Sequence, residues 1–446
     1  MLSGAAARDQ SPLLPLPQLG TCQQTSHPRL PERWRATYLM APFTQGQLTL
    51  SEIVYDASLA AMRVKLYGIR GGSADLIVLD TDTYVLESEG SAIKGCQNLG
   101  DTGWRPLPQD WLGEKSQCTG SGPVGEVEVD WWKTPIDPAP AAYWIWSKKS
   151  DQTPFRLVFP FASDRLAILS RYALSYQVAF EAVPQTELAA IASVCRRARP
   201  AGTQGARALQ ELIDATSHAS GSADSEIKRL MPSLDASCPA SALPEWPTKL
   251  AITGMMTPFD ADESPYPTEV LYDWNVPAQR SRVFFPPKSD FTVQDALLLG
   301  PLGYNVTYRR KGGPICRQVL PGAIRPDWPS RGPCECAAVI NGQTPLTPHG
   351  TARIMVCPLA SPRVAWAWYA LTGRPTVFMV TSLAGDQGAA LFAVLDYHDW
   401  LPDHRFPRSV FDKPAQCRPR PQDRPAAMSN AAKKCFTCHL GNAAAR

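Results

Sequence analysis

The sequence predicts a mainly β chain: two tandem copies of one antiparallel domain, joined by a helical insert and followed by a short tail. Three observations predict it. A run of motifs occurs twice in the same order. Apolar and polar residues alternate with period two inside each copy. Proline, at 43 of 446 residues, is far above ordinary usage and suits loops and strand ends better than helix interiors.

The duplication is read first, because a repeat decides the architecture. Residues 37–43 read TYLMAPF and residues 253–259 read TGMMTPF. Glu52, Tyr55, Asp56, Ala61 and Arg63 then return without a gap as Glu269, Tyr272, Asp273, Ala278 and Arg280. Tyr84, Cys96, Arg105 and Pro106 return as Tyr304, Cys316, Arg325 and Pro326, and Trp144-Ile145-Trp146 returns as Trp366-Ala367-Trp368. The offset drifts only from 216 to 222. The order along the chain is an N-terminal extension (1–29), a first β domain (30–183), a helical insert (184–242), a second β domain (243–412) and a Pro/Arg-rich linker with tail (413–446).

Within the first copy, Met62, Val64 and Leu66 alternate with Arg63, Lys65 and Tyr67, as a half-buried strand does. Val127 and Val129 alternate with Glu126 and Glu128, and Phe155, Leu157 and Phe159 are expected on one face. In the insert, Leu188, Ile191 and Cys195 fall at helical spacing. So do Leu209, Leu212 and Ile213, and then Ile227, Leu230, Met231 and Leu234. Such helices are expected to cover a sheet face. Asp56 and Asp273 follow a tyrosine at the end of a strand, where Asp more often starts a turn than performs acid–base chemistry.

The formal charge of +3 carries no nucleic-acid signature, and no run of 18 apolar residues is present to span a membrane as a helix. The first 20 residues lack the basic start and apolar core of an intact secretory signal, although Ser3 to Ala7 have the small side chains of a cleavage region. Of 12 cysteines, two form Cys435-Phe436-Thr437-Cys438-His439 near the C-terminus. The remaining even number favours an oxidising, extracytoplasmic compartment. The expected pairs are Cys96 with Cys118, Cys316 with Cys334 or Cys336, and Cys195 with Cys238.

The C-x-x-C-H run is an attachment signature for c-type haem. Two cysteines at this spacing reach the two vinyl groups, and the adjacent histidine meets the iron from the same turn. Cys435, Cys438 and His439 are therefore the candidate haem c residues, with His439 on the iron; a redox C-x-x-C pair, a disulfide hairpin or an unoccupied haem site are the alternative readings. Met428, on the same short helical stretch, is too close to reach over the ring, so a partner chain, His398 or His404 folded back from the second copy, or an open site is left on the iron. Trp144, Trp146, Trp366 and Trp368 are expected either in the core or on the wall of an apolar pocket.

The first copy resembles the VioE family of violacein biosynthesis enzymes. The match rests on Leu30-Pro31-x-Arg33-Trp34-x-x-x-Tyr38, Gln47-Leu48-Thr49, Tyr55-Asp56, and Pro154-Phe155-Arg156-Leu157-Val158. That family is similar in fold to the lipoprotein carriers LolA and LppX. The resemblance implies two open antiparallel half-barrels, each holding an apolar ligand under helices. It also implies a substrate-contacting role for Tyr38, although Gly254 stands at that position in the second copy. Together these features lead to an expected extracytoplasmic binding and electron-transfer protein. Its partners would be a redox protein or larger complex and a lipid or aromatic small molecule. A cofactor-free enzyme acting on a bulky aromatic substrate is the alternative that the resemblance implies. A structural subunit of a redox complex is the third reading.

Overall fold

A computed structural model describes residues 11–22, 28–42, 47–89, 92–102, 109, 115–135, 142–160, 172–198, 208–209, 211–212, 223–238, 245–258, 264–300, 302–319, 334–358, 364–370, 374–382, 391–414 and 417. Copy one contributes β1 (Arg33–Pro42), β2 (Thr49–Asp56), β3 (Ala61–Gly68), β4 (Ser73–Leu79), β5 (Asp82–Glu89) and β6 (Ala92–Asp101). It continues with β7 (Gln117–Val124), β8 (Val127–Pro135), β9 (Ala142–Lys148), β10 (Pro154–Pro160) and β11 (Tyr172–Ala182). Helices α1 (Leu188–Cys195) and α2 (Asp224–Leu230) and a short β12 (Leu234–Asp235) follow.

Copy two opens with β13 (Lys249–Pro258), β14 (Tyr266–Asp273), β15 (Ala278–Phe284), β16 (Phe291–Leu299), β17 (Leu302–Arg309) and β18 (Ile315–Val319). It closes with β19 (Glu335–Ile340), β20 (Ala352–Pro358), β21 (Val364–Ala370), β22 (Pro375–Ser382) and β23 (Leu391–Pro402).

Each copy is one open antiparallel sheet. The first has the order β6-β5-β4-β3-β2-β1-β11-β10-β9-β8-β7, and the second has the order β18-β17-β16-β15-β14-β13-β23-β22-β21-β20-β19-β12. Strand for strand the order is the same, with β12 added at one edge. Even an irregularity is shared. The first strand of each copy shifts register against the last at Thr37/Tyr38 and at Thr253/Gly254. At Gly254 the chains run so close that a Cβ would lie 2.5 Å from the Asp396 carbonyl oxygen, so this bulge takes glycine.

The two sheets bury one face against each other. Lateral neighbours Trp131, Trp146, Arg156, Tyr176, Leu39 and Leu50 form one row across β8, β9, β10, β11, β1 and β2. In copy two the row is Ala338, Ile354, Trp368, Val377, Asp396 and Met255. Leu39, Leu50, Trp131, Trp146 and Tyr176 of the first row and Met255, Ala338, Ile354 and Trp368 of the second belong to one core cluster. At its centre Arg156 donates to Asp396 at 2.9 Å, and the two side chains are 1% and 6% exposed. Tyr176 meets the Trp368 ring at 5.2 Å. Burial opposes the charge of Arg156, but the attraction of Asp396 outweighs it and holds the guanidinium protonated.

The opposite face of copy one has its own core of Trp34, Tyr38, Tyr55, Met62, Val64, Leu66 and Ile145, covered by Leu209 and Leu212 from the insert. The expected alternation of Met62, Val64 and Leu66 is thus observed. The grouping of Phe155 with Leu157 is not. A bulge between Pro154 and Arg156 puts Phe155 and Val158 in the core shared by the copies, and Leu157 on the other face. Leu234 lies in β12 rather than in a helix.

Among the described residues five disulfides are formed: Cys22–Cys118, Cys96–Cys195, Cys238–Cys336, Cys316–Cys417 and Cys334–Cys357. All seven candidate cysteines are bonded, but the expected pairings are corrected. β6 and β7 are neighbours in sequence yet are the two ends of the sheet, about 48 Å apart along it at ordinary strand spacing. Cys96 therefore cannot reach Cys118, since a disulfide needs Cα atoms within about 7 Å. The same reasoning separates Cys316 on β18 from Cys334 and Cys336 at β19, whereas Cys195 and Cys238 are held to different sheets, by Cys96 and Cys336.

The first four bridges form two equivalent pairs that span 96, 99, 98 and 101 residues. In each copy one bridge ties the segment before the first strand to β7 or β19, and the other ties the segment after the last strand to β6 or β18. The covalent unit of each copy therefore extends into the N-terminal extension, the insert and the linker. Non-reducing peptide mapping should recover Cys22 linked to Cys118 and Cys96 linked to Cys195. Recovery of Cys96 joined to Cys118 would contradict the sheet order.

Candidate functional site

The shared face holds more than the inter-copy core. Moving along β2 from Leu50, which lies in that core, the chain places Glu52 and then Val54 on the same face. Val54 packs under Leu188, Ile191 and Ala192 of α1 together with Ala61, Ile77 and Leu79. Between these two apolar regions lies a polar cavity of about 190 Å3 lined by Arg35, Glu52, Val54, Arg63, Lys65, Glu187 and Arg229. Strand alternation explains the lining: Arg35 pairs with Val54 across β1 and β2, and Glu52 pairs with Lys65 across β2 and β3.

The ionic groups are unequally satisfied. Arg63 is locked, donating to Asp75 at 2.6 and 2.8 Å and to Glu187 at 3.1 Å. Burial opposes its charge, and the Asp75 and Glu187 carboxylates more than offset this and raise its pKa. Glu52, with a side chain 7% exposed, has its cations among the described residues at 3.5 Å (Arg229), 3.8 Å (Lys65) and 3.9 Å (Arg35). Arg35 reaches Glu52, Glu181 and Glu187 only at 3.9–4.0 Å, and its buried Nε has no hydrogen-bond partner among the described residues.

Copy two has the same frame with a different filling. Arg280 is locked to Asp295 as Arg63 is to Asp75, and its Nη1 donates to the Val410 carbonyl at 2.8 Å. Glu269 and Arg282 stand at the positions of Glu52 and Lys65 and form a buried ion pair. Here the N-terminal segment is seated on them. Leu13 and Leu14 donate their backbone N–H groups to Glu269 Oε2 at 3.0 and 3.2 Å, and Arg282 donates to the Ser11 carbonyl at 2.8 Å. Leu14 is buried among Ala251, Leu271, Ala278, Leu297, Val410 and Phe411. The leading segment of copy one thus packs on copy two, while Arg229, from the segment leading copy two, packs on copy one. Leu14→Ala should lower stability by about 2–5 kcal/mol, read by urea denaturation, because it empties a buried apolar site.

The residues singled out in the sequence lie elsewhere. Trp144, Trp146 and Trp368 are at most 1% exposed and belong to the core between the copies. Their place is the interface, and the apolar-pocket alternative is corrected for these three. Trp366 lies in β21, with its side chain outside the described residues. Tyr38 is buried in the covered face of copy one, and burial pushes its phenol well above the ordinary range. Asp56 ends β2 and caps the turn at Ala57–Leu59, accepting from Ser58 N at 3.1 Å. Burial raises its carboxyl pKa, but hydrogen bonds from Ser58, Thr186 and Arg33 together outweigh this and hold it below the usual range. His398 is partly exposed beside Asp399 at 3.6 Å.

Cys435, Cys438 and His439 lie outside the described residues. Among the described residues, Cys22, Cys118 and Asp130 form a group with metal-ligand spacing, but Cys22 and Cys118 are bonded to each other. No reading of the sequence pointed to the Glu52 cavity. Glu52 and Glu269 were visible only as repeated letters, and nothing local shows that one carboxylate receives a peptide and the other does not.

No family model and no curated protein matches the chain. Solved structures do. An uncharacterised conserved protein from Thermus thermophilus is 15% identical, with a TM-score of 0.24, over 36% of this chain and 84% of that one. The MucA/MucB complex of Pseudomonas aeruginosa is 12% identical, with a TM-score of 0.23, over 64% of this chain and 86% of the matched one. A LolA superfamily protein from Nitrosomonas europaea is 15% identical, with a TM-score of 0.19, over 39% and 92%. At these scores the fold description rests on strand order and register. The class is a mainly β protein of two open antiparallel sheets, with no described helix long and apolar enough to cross a membrane.

Proposed function

We propose that the chain is an extracytoplasmic binding protein in which two disulfide-clamped half-barrels form a scaffold and the tail tethers one c-type haem for electron transfer. One observation carries the reading. Ten of the 12 cysteines are joined in five disulfides, and the two left over are Cys435 and Cys438, the pair of the C-x-x-C-H signature. Every other cysteine of the chain is thus already bonded. The spacing of the tail pair suits thioether bonds to the two vinyl groups of a haem, with His439 as the proximal imidazole. Five disulfides also favour an oxidising compartment.

When bound, the haem supplies one-electron chemistry. A c-type haem left exposed on a tail presents a large apolar surface to water, which is unfavourable for a soluble monomer. The tail therefore docks on its own scaffold or on a redox partner. On the outer face of copy two, partly buried Trp274 and Trp400 pack against buried Trp246 and Tyr272, and those two outer rings are what such a haem, or an apolar or aromatic small molecule, would meet. There Trp246 meets Trp400 and Tyr272 edge to face at 5.2 and 6.4 Å. The enzyme reading draws no support from Tyr38, which is enclosed in packed core.

Protein produced in a cytochrome c-maturing periplasm should retain its pyridine haemochrome band after denaturation, and Cys438→Ala should abolish or sharply reduce it. Native protein at the unmodified polypeptide mass would overturn the haem reading.

A further inference from the structure

The geometry points to the Glu52 cavity as a receptor for an extended acidic peptide segment of a partner protein, held as copy two holds residues 11–14. The two copies differ in how this equivalent place is filled. Glu269 and Arg282 bind backbone: the carboxylate takes two consecutive N–H groups, and the guanidinium donates to the carbonyl of Ser11, just upstream of them. Glu52 and Lys65 hold the same register positions in β2 and β3. Among the described residues their carboxylate lacks the two N–H donors, and a cavity opens beside it.

A buried carboxylate with one hydrogen bond at the 3.5 Å limit is poorly satisfied, and backbone N–H groups are what satisfy its counterpart. Arg229, the nearest of the three cations around Glu52, comes from the segment that corresponds to Leu13 and Leu14. It leaves the site partly filled.

The side chain that this receptor prefers follows from one difference. Ala251 of copy two pairs with Leu271 and helps to bury Leu14. Arg35 pairs with Val54 at the corresponding place in copy one. An apolar side chain there would desolvate a guanidinium, whereas an aspartate would give Arg35 a close bidentate partner. Of the four cations in the lining, Arg63 and Arg229 are already engaged by Asp75, Glu187 and Glu226, which leaves Arg35 and Lys65 as the groups an acidic side chain would meet. The mouth is accessible: Arg35, Glu187 and Arg229 are 42%, 44% and 52% exposed.

The test uses the full chain and two acetylated, amidated hexapeptides with the sequence of residues 11–16, one unchanged and one carrying Leu14→Asp, titrated by calorimetry at low salt. The acidic peptide should bind at least tenfold more tightly than the unchanged one. Arg35→Ala in the protein should reduce that binding at least tenfold while leaving the melting temperature close to wild type, because the carboxylates around Arg35 stand only at 3.9–4.0 Å. Lys65→Ala should weaken both peptides. Equal binding of the two peptides, no binding at millimolar concentration, or an unchanged affinity in Arg35→Ala overturns the proposal. If acetate alone competes as well as the acidic peptide, the site is a simple carboxylate pocket and the peptide assignment fails.

Discussion

The ion pair between Arg156 and Asp396 is the constraint that the joining of the two copies must satisfy, since neither charge can be buried in that apolar interface alone. It sits in the middle of an apolar interface, in a row of tryptophans, tyrosines and aliphatic side chains. Arg156 also lies over the rings of Tyr176 and Trp146, at 4.7 and 5.2 Å. The pair is not repeated. In the common strand order Arg156 corresponds to Val377 or its neighbour in β22, and Asp396 corresponds to Tyr176. After duplication one copy carries the base and the other the acid. A pairing of copy one with another copy one would bury two arginines without acids, so the pair favours union of unlike halves.

The remaining stabilising devices protect the margins of this sandwich. Both sheets are open, and open edges invite pairing with other chains. Cys118 on β7, Cys96 on β6 and Cys316 on β18 lie on edge strands, and Cys336 lies on β19 beside the short β12. Each is bonded to a flanking segment that runs over its edge or across the sheet face. Closing loops of nearly 100 residues, each such bridge contributes about 4–5 kcal/mol in the chain-entropy model. The segments they anchor also cross over: residues 11–14 cover copy two, and Arg229 reaches copy one. The two halves are held by an ionic centre, an apolar core and this exchange of leading segments.

Much of this was legible in the sequence, and what was not has identifiable causes. Strand alternation exposed the face of Met62, Val64 and Leu66, because those residues are apolar on a side that needs burial. It misread the other side. Arg63 and Lys65 look like solvent-facing residues, yet Arg63 is 10% exposed, because the charges on that face are matched by Asp75 and Glu187 under α1. Cysteine pairing was illegible, because proximity in sequence says nothing about which edge of an 11-stranded sheet a strand occupies. The cavity was hidden for a related reason. Glu52 and Glu269 are the same residue at the same place, and their difference is made by segments 177 and 255–256 residues away.

Urea denaturation of the wild type, Arg156→Met, Asp396→Leu and the double variant tests the central claim, that the two copies form one cooperative unit in which Arg156 and Asp396 must be buried together. A single transition is expected for the wild type. Each single variant should lose about 3–5 kcal/mol, because it strands a buried charge, and the double variant should recover most of that loss. Two separable transitions in the wild type, with single-variant effects that simply add in the double variant, would contradict the account.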